Sequence, residues 1–219
     1  MDRSAPSFRP RAGIYLAPFA LVLLAATTAR AAVITVEPDD YPAGTALTSV
    51  SPYVTLMTLD SNDEPVPLFV VTSDTGDSAT RDLSPTGSLV FSHVGIPFFN
   101  TIRKLQADFN GRTSSVSIAF AGGSPFDPET ARLEVYDEAG TLLDVDVSSP
   151  TGWGVFETLS VTRPTADIAR AVIYSGQNQF GRFDALAFET PVPEPSGLLA
   201  ALLPSTALLA RRRRARAQA

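Results

Sequence analysis

The stretch RLEVYDEAGTLLDVDV, residues 132–147, contains two runs of alternating apolar and polar residues joined by a short connection. In the second run Asp144 and Asp146 alternate with leucine and valine, so one face of an extended strand is apolar and the other acidic. The connection Glu-Ala-Gly is tight, and Gly140 is free to adopt the positive φ that such connections use. This stretch therefore predicts an antiparallel β-hairpin.

The same alternation recurs through residues 33–188, in short apolar runs separated by Gly, Pro, Asp and Ser. These candidate strands are VITVE, YVTLMTL, LFVVT, SLVFS, KLQADFN, SVSIAFA, RLEVYD, TLLDVDV, GVFETLSV, RAVIYS and RFDALAFE. No part of this region has the long period of an amphipathic helix. We predict one all-β domain over residues 32–190, an antiparallel β-sandwich of jelly-roll or related type.

Composition limits the chemistry of this domain. The chain has 219 residues, no cysteine and one histidine, which excludes disulfides, cysteine-ligated zinc and cysteine nucleophiles. Residues 32–190 carry 21 acidic against eight basic residues, a net charge of −13. A domain this acidic repels nucleic acid and attracts divalent cations, so we expect no nucleic-acid partner.

The first 31 residues have the pattern of a secretory signal peptide. Three arginines precede an apolar stretch at 14–26, and Ala29 and Ala31 supply the small residues that signal peptidase recognises. We place the cleavage after Ala31. The alternative is a retained membrane anchor, which Pro18 and the small-residue site both disfavour.

The C-terminal residues 191–219 combine alternating prolines, a short apolar run and a cluster of arginines. As a helix, the run at 197–210 would span about 21 Å, less than the roughly 30 Å of a bilayer core. The run is apolar on every side, which disfavours a surface helix, and we predict a short membrane helix; the alternative is an amphipathic or buried terminal helix. The arginines would stay in the cytoplasm, which places the acidic domain outside it.

The segment VPEPS, the apolar run and the terminal arginines, in this order, resemble the PEP-CTERM sorting signal of Gram-negative bacteria that make extracellular polysaccharide. The resemblance implies an inner-membrane precursor facing the periplasm, processing by the membrane enzyme exosortase, and delivery to the cell surface or outside the cell. It implies a sorting motif at Pro193, Glu194 and Pro195 and a stop-transfer signal at Arg211, Arg212, Arg213 and Arg214. The alternative is a proline-rich spacer beside an ordinary anchor.

Two segments, DDYPAGTALT and GRFDALAFE, resemble the first and last strands of carbohydrate-binding-module sandwiches. In such modules an aspartate of the closing strand binds structural calcium together with acids near the first strand. By this resemblance Asp184 is a calcium ligand, with Glu37, Asp39 or Asp40 as its partner, and we take Asp40. Calcium binds six to eight oxygens, so backbone carbonyls would complete the shell. The alternative is a solvated acidic surface, and we expect no other cofactor.

Few patterns in the sequence point to catalysis. We expect His93 to be a buried or rim residue bonded to a carbonyl rather than a general base. No nucleophile elbow or glycine-rich phosphate loop occurs. Asp144 and Asp146 would lie roughly 7 Å apart, but every D-x-D strand has that spacing. We therefore predict no enzyme, and a glycoside hydrolase is the weakest alternative.

The function we predict is that of an exported envelope or biofilm-matrix protein with a structural or binding β-sandwich. Its processing partners are signal peptidase and exosortase, and extracellular polysaccharide is a candidate ligand. The alternative is a carbohydrate-binding module with Trp153, Tyr174 and Phe180 as sugar contacts. Trp153, between two glycines, is either a stacking platform for a sugar ring or a residue packed over the sandwich edge.

Overall fold

The structure, a computed structural model, describes residues 32–72, 84–124 and 126–190. Within these ranges the chain forms eleven β-strands and one short 3-10 helix at Pro38–Asp40. The strands are β1 (Val33–Val36), β2 (Val54–Leu59), β3 (Pro65–Thr72), β4 (Leu89–His93), β5 (Lys104–Thr113), β6 (Ser115–Ala121), β7 (Ala131–Tyr136), β8 (Leu142–Val147), β9 (Phe156–Thr162), β10 (Ile168–Ser175) and β11 (Arg182–Glu189). Each candidate strand of the sequence coincides with one of them, which confirms the all-β prediction.

The strands pair antiparallel and form two sheets. The smaller sheet has the order β1-β11-β6-β9, and the larger has the order β4-β3-β2-β5-β10-β7-β8. If β2, β3 and β4 are set aside, two four-stranded sheets remain in the strand order of a jelly roll. The meander of β2, β3 and β4 is thus an addition that widens one sheet beyond β5.

The inner faces of the two sheets meet in one apolar core. Burial alternates along the strands as the period of two requires: Leu133 and Val135 on β7 are fully buried, and Glu134 between them faces outward. Aromatic rings join the sheets, since the ring centroids of Phe109 on β5 and Phe188 on β11 lie 5.1 Å apart. Burial of a side chain of this size contributes about 1.5–3 kcal/mol to folding.

The hairpin predicted at residues 132–147 is the pair β7 and β8. Gly140 in its turn has φ +80°, the left-handed conformation expected there. However, the apolar face of β8 is only partly buried, because β8 is an edge strand and a bulge shifts its register near the turn. Leu143 packs against the core, whereas Val147 is 51% exposed.

The two ends of the described domain lie side by side. The Ala32 N–H donates to Thr190 Oγ1 (3.0 Å), and the Thr190 N–H donates to the Ala32 carbonyl (2.7 Å). Between these ends β11 runs through the middle of the smaller sheet, with β1 on one side and β6 on the other.

The predicted signal peptide with its cleavage site at Ala29 and Ala31, and the predicted sorting tail at 191–219, lie outside the described residues. Among the residues that the structure does describe, no helix is both long enough and apolar enough to cross a membrane.

Candidate functional site

The outer face of the seven-stranded sheet carries polar and aromatic side chains in rows across the strands. Antiparallel register sets these rows, because residues that pair across strands point to the same face. One row is Glu134, Val172, Gln106 and Met57; the next is Tyr136, Arg170, Asp108 and Thr55; the flanking pairs are Arg132–Tyr174 and Lys104–Leu59. Strands distant in sequence thus present one continuous polar surface.

This surface lines an open groove of about 460 Å³, the outer-face groove, which lies within the roughly 300–1,000 Å³ typical of small-molecule sites. Its floor is formed by Val172 and Gln106, each 8% exposed. The lining residues are Met57, Leu59, Asp63, Pro65, Lys104, Gln106, Glu134, Tyr136, Gly140, Arg170, Val172 and Tyr174. One wall therefore comes from the added meander and the other from β7 and its turn.

Glu134 is the centre of a hydrogen-bond network in the outer-face groove. The hydroxyls of Tyr136 (2.5 Å) and Tyr174 (2.9 Å) and the Arg132 Nε (2.5 Å) donate to its two carboxylate oxygens. Burial opposes ionisation of Glu134, but these three donors together hold its pKa below the usual value. Burial and the bond to Glu134 raise the pKa of both tyrosines, so the two hydroxyls stay protonated and their rings stay in place.

A second network fixes the other polar side chains of the outer-face groove. Asp108 accepts from the Arg170 Nε (2.7 Å) through one oxygen and from the Gln106 Nε2 (2.9 Å) through the other. Lys104 Nζ lies 2.7 Å from Asp63 Oδ1. The groove side chains are thus held by one another in the positions they occupy, which reduces the entropy lost when a ligand binds.

Three carboxylates at the end of β1 and on β11 form a separate site, the acidic cluster. Glu37 caps the 3-10 helix, Asp39 lies within that helix, and Asp184 on β11 is fully buried. One oxygen of each lies within 4.8 Å of the others. Two ligands of one calcium ion are separated by up to about 4.8 Å, so the spacing suits a shared ion. None of the ion pairs within the described ranges includes these carboxylates.

Two carboxylates of the acidic cluster compete for the hydrogen of one hydroxyl group. Thr86 Oγ1 lies 2.8 Å from both Glu37 Oε1 and Asp184 Oδ2, yet the hydroxyl has a single hydrogen to donate. Burial, together with the negative charge of Asp184, raises the pKa of Glu37 to about 7. Ionisation of Glu37 beside Asp184 is therefore unfavourable, and a positive charge nearby would favour it.

Residues 84–89 fold over the acidic cluster and bring it further oxygens. Ser84 Oγ donates to Asp184 Oδ2 (2.7 Å), and the N–H groups of Ser88 (2.9 Å) and Leu89 (3.2 Å) donate to Asp39 Oδ1. Gly87 has φ +59°, and a Cβ there would overlap the Asp39 carboxylate. The oxygens gathered at the cluster belong to carboxylate and hydroxyl groups, which suit a hard cation such as calcium.

The acidic cluster contains two of the three partners that the resemblance offered for Asp184. Glu37 and Asp39 belong to the group that could hold an ion, whereas Asp40 lies outside it and is exposed. The reason is local: in a one-turn helix, consecutive residues point in different directions, so Asp39 and Asp40 do not share a face.

The three aromatic residues predicted to contact sugar lie in two different places. Tyr174 lines the outer-face groove, but Trp153 and Phe180 lie in loops after β8 and β10. Phe180 is 44% exposed and contacts the edge of the Phe98 ring, with centroids 5.0 Å apart. Trp153 is partly buried, and its Nε1 has no hydrogen-bond partner within the described part of the chain.

The remaining polar candidates hold the fold together. His93 Nδ1 bonds the buried Thr58 hydroxyl (2.7 Å), where the sequence prediction named a carbonyl. Asp144 Oδ1 accepts from the next backbone N–H along the chain (2.8 Å), and Asp146 Oδ2 accepts from the Ser160 N–H (2.7 Å). These bonds engage both aspartates with the backbone.

The outer-face groove is the functional candidate that sequence reasoning missed, apart from Tyr174. A signal was present: Arg132, Glu134 and Tyr136 alternate with buried residues on β7, and Lys104, Gln106 and Asp108 do so on β5. Such polar alternation marks the outer face of each strand, but only the pairing of β5 with β10 and β7 brings the two sets together.

Comparison with known proteins finds similarity in fold alone. No protein-family model matches the chain, and no curated protein matches it. Similar solved structures include a family 6 carbohydrate-binding module (14% identity, 72% of this chain and 93% of that one, TM-score 0.34) and CsCBM6-3 from Clostridium stercorarium in complex with cellobiose (16%, 72% and 93%, 0.33). TmCBM61 in complex with β-1,4-galactotriose is another (14%, 65% and 87%, 0.35).

Proposed function

We propose that the chain is a polysaccharide-binding β-sandwich that holds its ligand in the outer-face groove. The observation that carries this proposal is the arrangement around Glu134, where two tyrosine rings are fixed by hydrogen bonds at the surface of an open groove. Tyrosine combines an apolar ring face with a polar edge, as a pyranose does, and binds such rings at low entropic cost.

Binding without turnover fits this groove better than hydrolysis. Glycoside hydrolysis needs a carboxylic acid whose raised pKa lets it donate a proton. In the outer-face groove the pKa of Glu134 is held low by its donors. Among the described carboxyl groups, the one whose pKa is raised, Glu37, belongs to the acidic cluster.

Affinity electrophoresis in gels that contain neutral polysaccharides tests the proposal. Tyr174→Ala and Tyr136→Ala should each weaken retardation by about tenfold or more, since loss of one ring contact costs roughly 1–2 kcal/mol. Phe126→Ala, which removes an 89% exposed ring outside the groove, is the matched control. Wild-type retardation that persists in both tyrosine variants, with their melting temperatures unchanged, would exclude the groove.

We propose that calcium stabilises the same domain at the acidic cluster. Glu37, Asp39 and Asp184 would hold the ion, with Thr86 and Ser84 as neutral oxygen donors. The support is the spacing of the three carboxylates and the hydroxyl hydrogen that two of them share. The ion would supply the positive charge that joins β1, β11 and residues 84–89.

We further propose that the domain is exported and sorted by its tail. The support is the order of Pro193, Glu194 and Pro195, the apolar run and the arginines in the sequence. In a host with the matching exosortase, the precursor should be cut close to the sorting motif and released to the surface. Glu194→Ala should leave an uncleaved membrane-bound form. A released protein whose mass still includes Arg211 would contradict the processing.

A further inference from the structure

We infer that the ligand of the outer-face groove is an uncharged glycan and not a polymer of uronic acids, an inference that rests on the proposed function. The pairing of charges on the groove surface, and the direction of its hydrogen bonds, distinguish these two classes of polysaccharide.

Every cationic side chain at the groove already has a carboxylate partner. Lys104 pairs with Asp63 at 2.7 Å, and Arg170 pairs with Asp108 at 2.7 Å. Beside them, the Arg132 Nε contacts Glu134 at 2.5 Å. The three cations are therefore matched by three anions, and the surface of the groove is close to electrically neutral.

A carboxylated sugar gains little from such a surface. To reach a guanidinium or ammonium, it must replace a protein carboxylate that is already in place or lie beside it, where the like charges repel. A polyanion is also repelled by the domain as a whole, because residues 32–190 carry a net charge of −13. An uncharged chain incurs neither cost.

The hydrogen bonds of the groove favour ligand hydroxyl groups. Tyr136 and Tyr174 use their hydroxyl hydrogens on Glu134, so each oxygen is left to accept. Gln106 Nε2 donates to the acceptor-only carboxylate of Asp108, which fixes the orientation of the amide and leaves Oε1 as an acceptor on the groove floor. A sugar hydroxyl can donate to these three oxygens, whereas a carboxylate has no hydrogen to give.

Matched pairs of polymers test the inference with the full chain. Retardation at 0.15 M NaCl is measured with hydroxyethyl cellulose against carboxymethyl cellulose, and with fully methyl-esterified polygalacturonate against polygalacturonate. At least one neutral polymer should bind with an affinity tenfold or more above that of its carboxylated counterpart.

Asp108→Asn tests whether the local pairing of charges in the groove, and not the net charge of the domain, disfavours carboxylated polymers. It leaves the charge of Arg170 without a carboxylate to balance it and should raise the affinity for the carboxylated polymers several-fold. Asp127→Asn makes the same change in net charge at an exposed site outside the groove and should leave retardation by every polymer unchanged.

The outcomes separate the inference from the proposed function. Equal or tighter binding of a carboxylated polymer, lost in Tyr174→Ala, overturns the inference and leaves polysaccharide binding in place. No gain on Asp108→Asn also overturns it. No retardation by any polymer, neutral or carboxylated, overturns the proposed function and the inference together.

Discussion

The outer-face groove and the acidic cluster both contain carboxylates, but these have different neighbours. Hydrogen-bond donors and cations surround those of the groove, whereas those of the cluster lie beside one another. In the groove, Glu134 receives hydrogen bonds from Tyr136, Tyr174 and Arg132. In the cluster, Glu37 and Asp184 both lie within hydrogen-bond distance of the Thr86 hydroxyl, which has one hydrogen to donate. The same residue type therefore has a lowered pKa in one place and a raised pKa in the other.

This difference separates a site whose charges are paired from a site in which burial and a neighbouring carboxylate oppose the ionisation of Glu37. The groove carries its own counter-charges, so its geometry does not depend on what binds there. The cluster has no ion pair among its described contacts, so a proton or a metal ion that neutralises Glu37 would stabilise it. Stability should therefore respond to calcium and to pH mainly through the cluster.

Calcium is expected to have a large effect on thermal stability. At a hundredfold excess over its dissociation constant, an ion that binds only the folded state adds about 2.7 kcal/mol. For a domain of this size that corresponds to a rise of roughly 5–10 °C in melting temperature. Differential scanning calorimetry with calcium and with chelator measures the shift, and Glu37→Gln should abolish most of it.

Asp40→Asn is the matched control for the calcium prediction. It removes an adjacent, exposed carboxylate that lies outside the ion-binding group, so the calcium response should stay as in the wild type. A melting temperature that is the same with calcium and with chelator would exclude calcium binding at the acidic cluster. A calcium response that is lost in Asp40→Asn and kept in Glu37→Gln would show that calcium binds to other residues than those proposed.

Substitution of one glycine at each site compares the cost of adding a Cβ to the backbone there. Gly87 and Gly140 both have positive φ, but a Cβ at Gly87 would overlap the Asp39 carboxylate, and one at Gly140 meets open space. Gly140→Ala should cost about 1–2 kcal/mol for the conformation alone. Gly87→Ala should cost about 3 kcal/mol or more, because overlap adds to the strain. Chemical denaturation measures both, and equal losses would contradict the close contact at Asp39.

In the absence of divalent cations, stability should also depend on pH. The pKa of Glu37 rises from 4.5 to about 7 on folding, so the folded state holds an extra proton and stability falls as pH rises through that window. The pKa of Glu134 is lowered, so its contribution is full above 4.5 and is lost as pH falls below.

Glu37→Gln should therefore flatten the dependence of unfolding free energy on pH between about 5 and 7, and Glu134→Gln should flatten it below about 4.5. Urea melts over a series of pH values measure both slopes. Identical pH profiles in the two variants would contradict the opposite directions in which the pKa values of Glu37 and Glu134 change on folding.

The strands were predictable from sequence because alternation is a local property, visible within each run such as 132–137. The groove was not, because it depends on which strand lies beside which. Glu134 and Gln106 are neighbours only through β10, and no pattern within β5 or β7 specifies that pairing. For the same reason the exposure of β8 was not foreseen, since an edge position is a property of the whole sheet.

The acidic cluster was partly predictable because resemblance placed acids at the start of the first strand and within the last. Sequence reasoning did not reach Thr86, which lies between two strands with no alternation of its own. Its contacts with Glu37 and Asp184 span 49 and 98 positions in the chain. Only the folded sandwich brings residues so far apart into one site.

The place of β11 in the smaller sheet determines how the domain would carry mechanical force. If the tail is fixed in a membrane while the groove holds a matrix polysaccharide, tension enters the sandwich at Thr190. A lengthwise pull on β11 loads its hydrogen bonds to β1 and to β6 together, in shear, instead of peeling an edge strand away one bond at a time. The strand that leads to the tail is thus an inner strand of that sheet, and it must slide past β1 on one side and β6 on the other before it comes free.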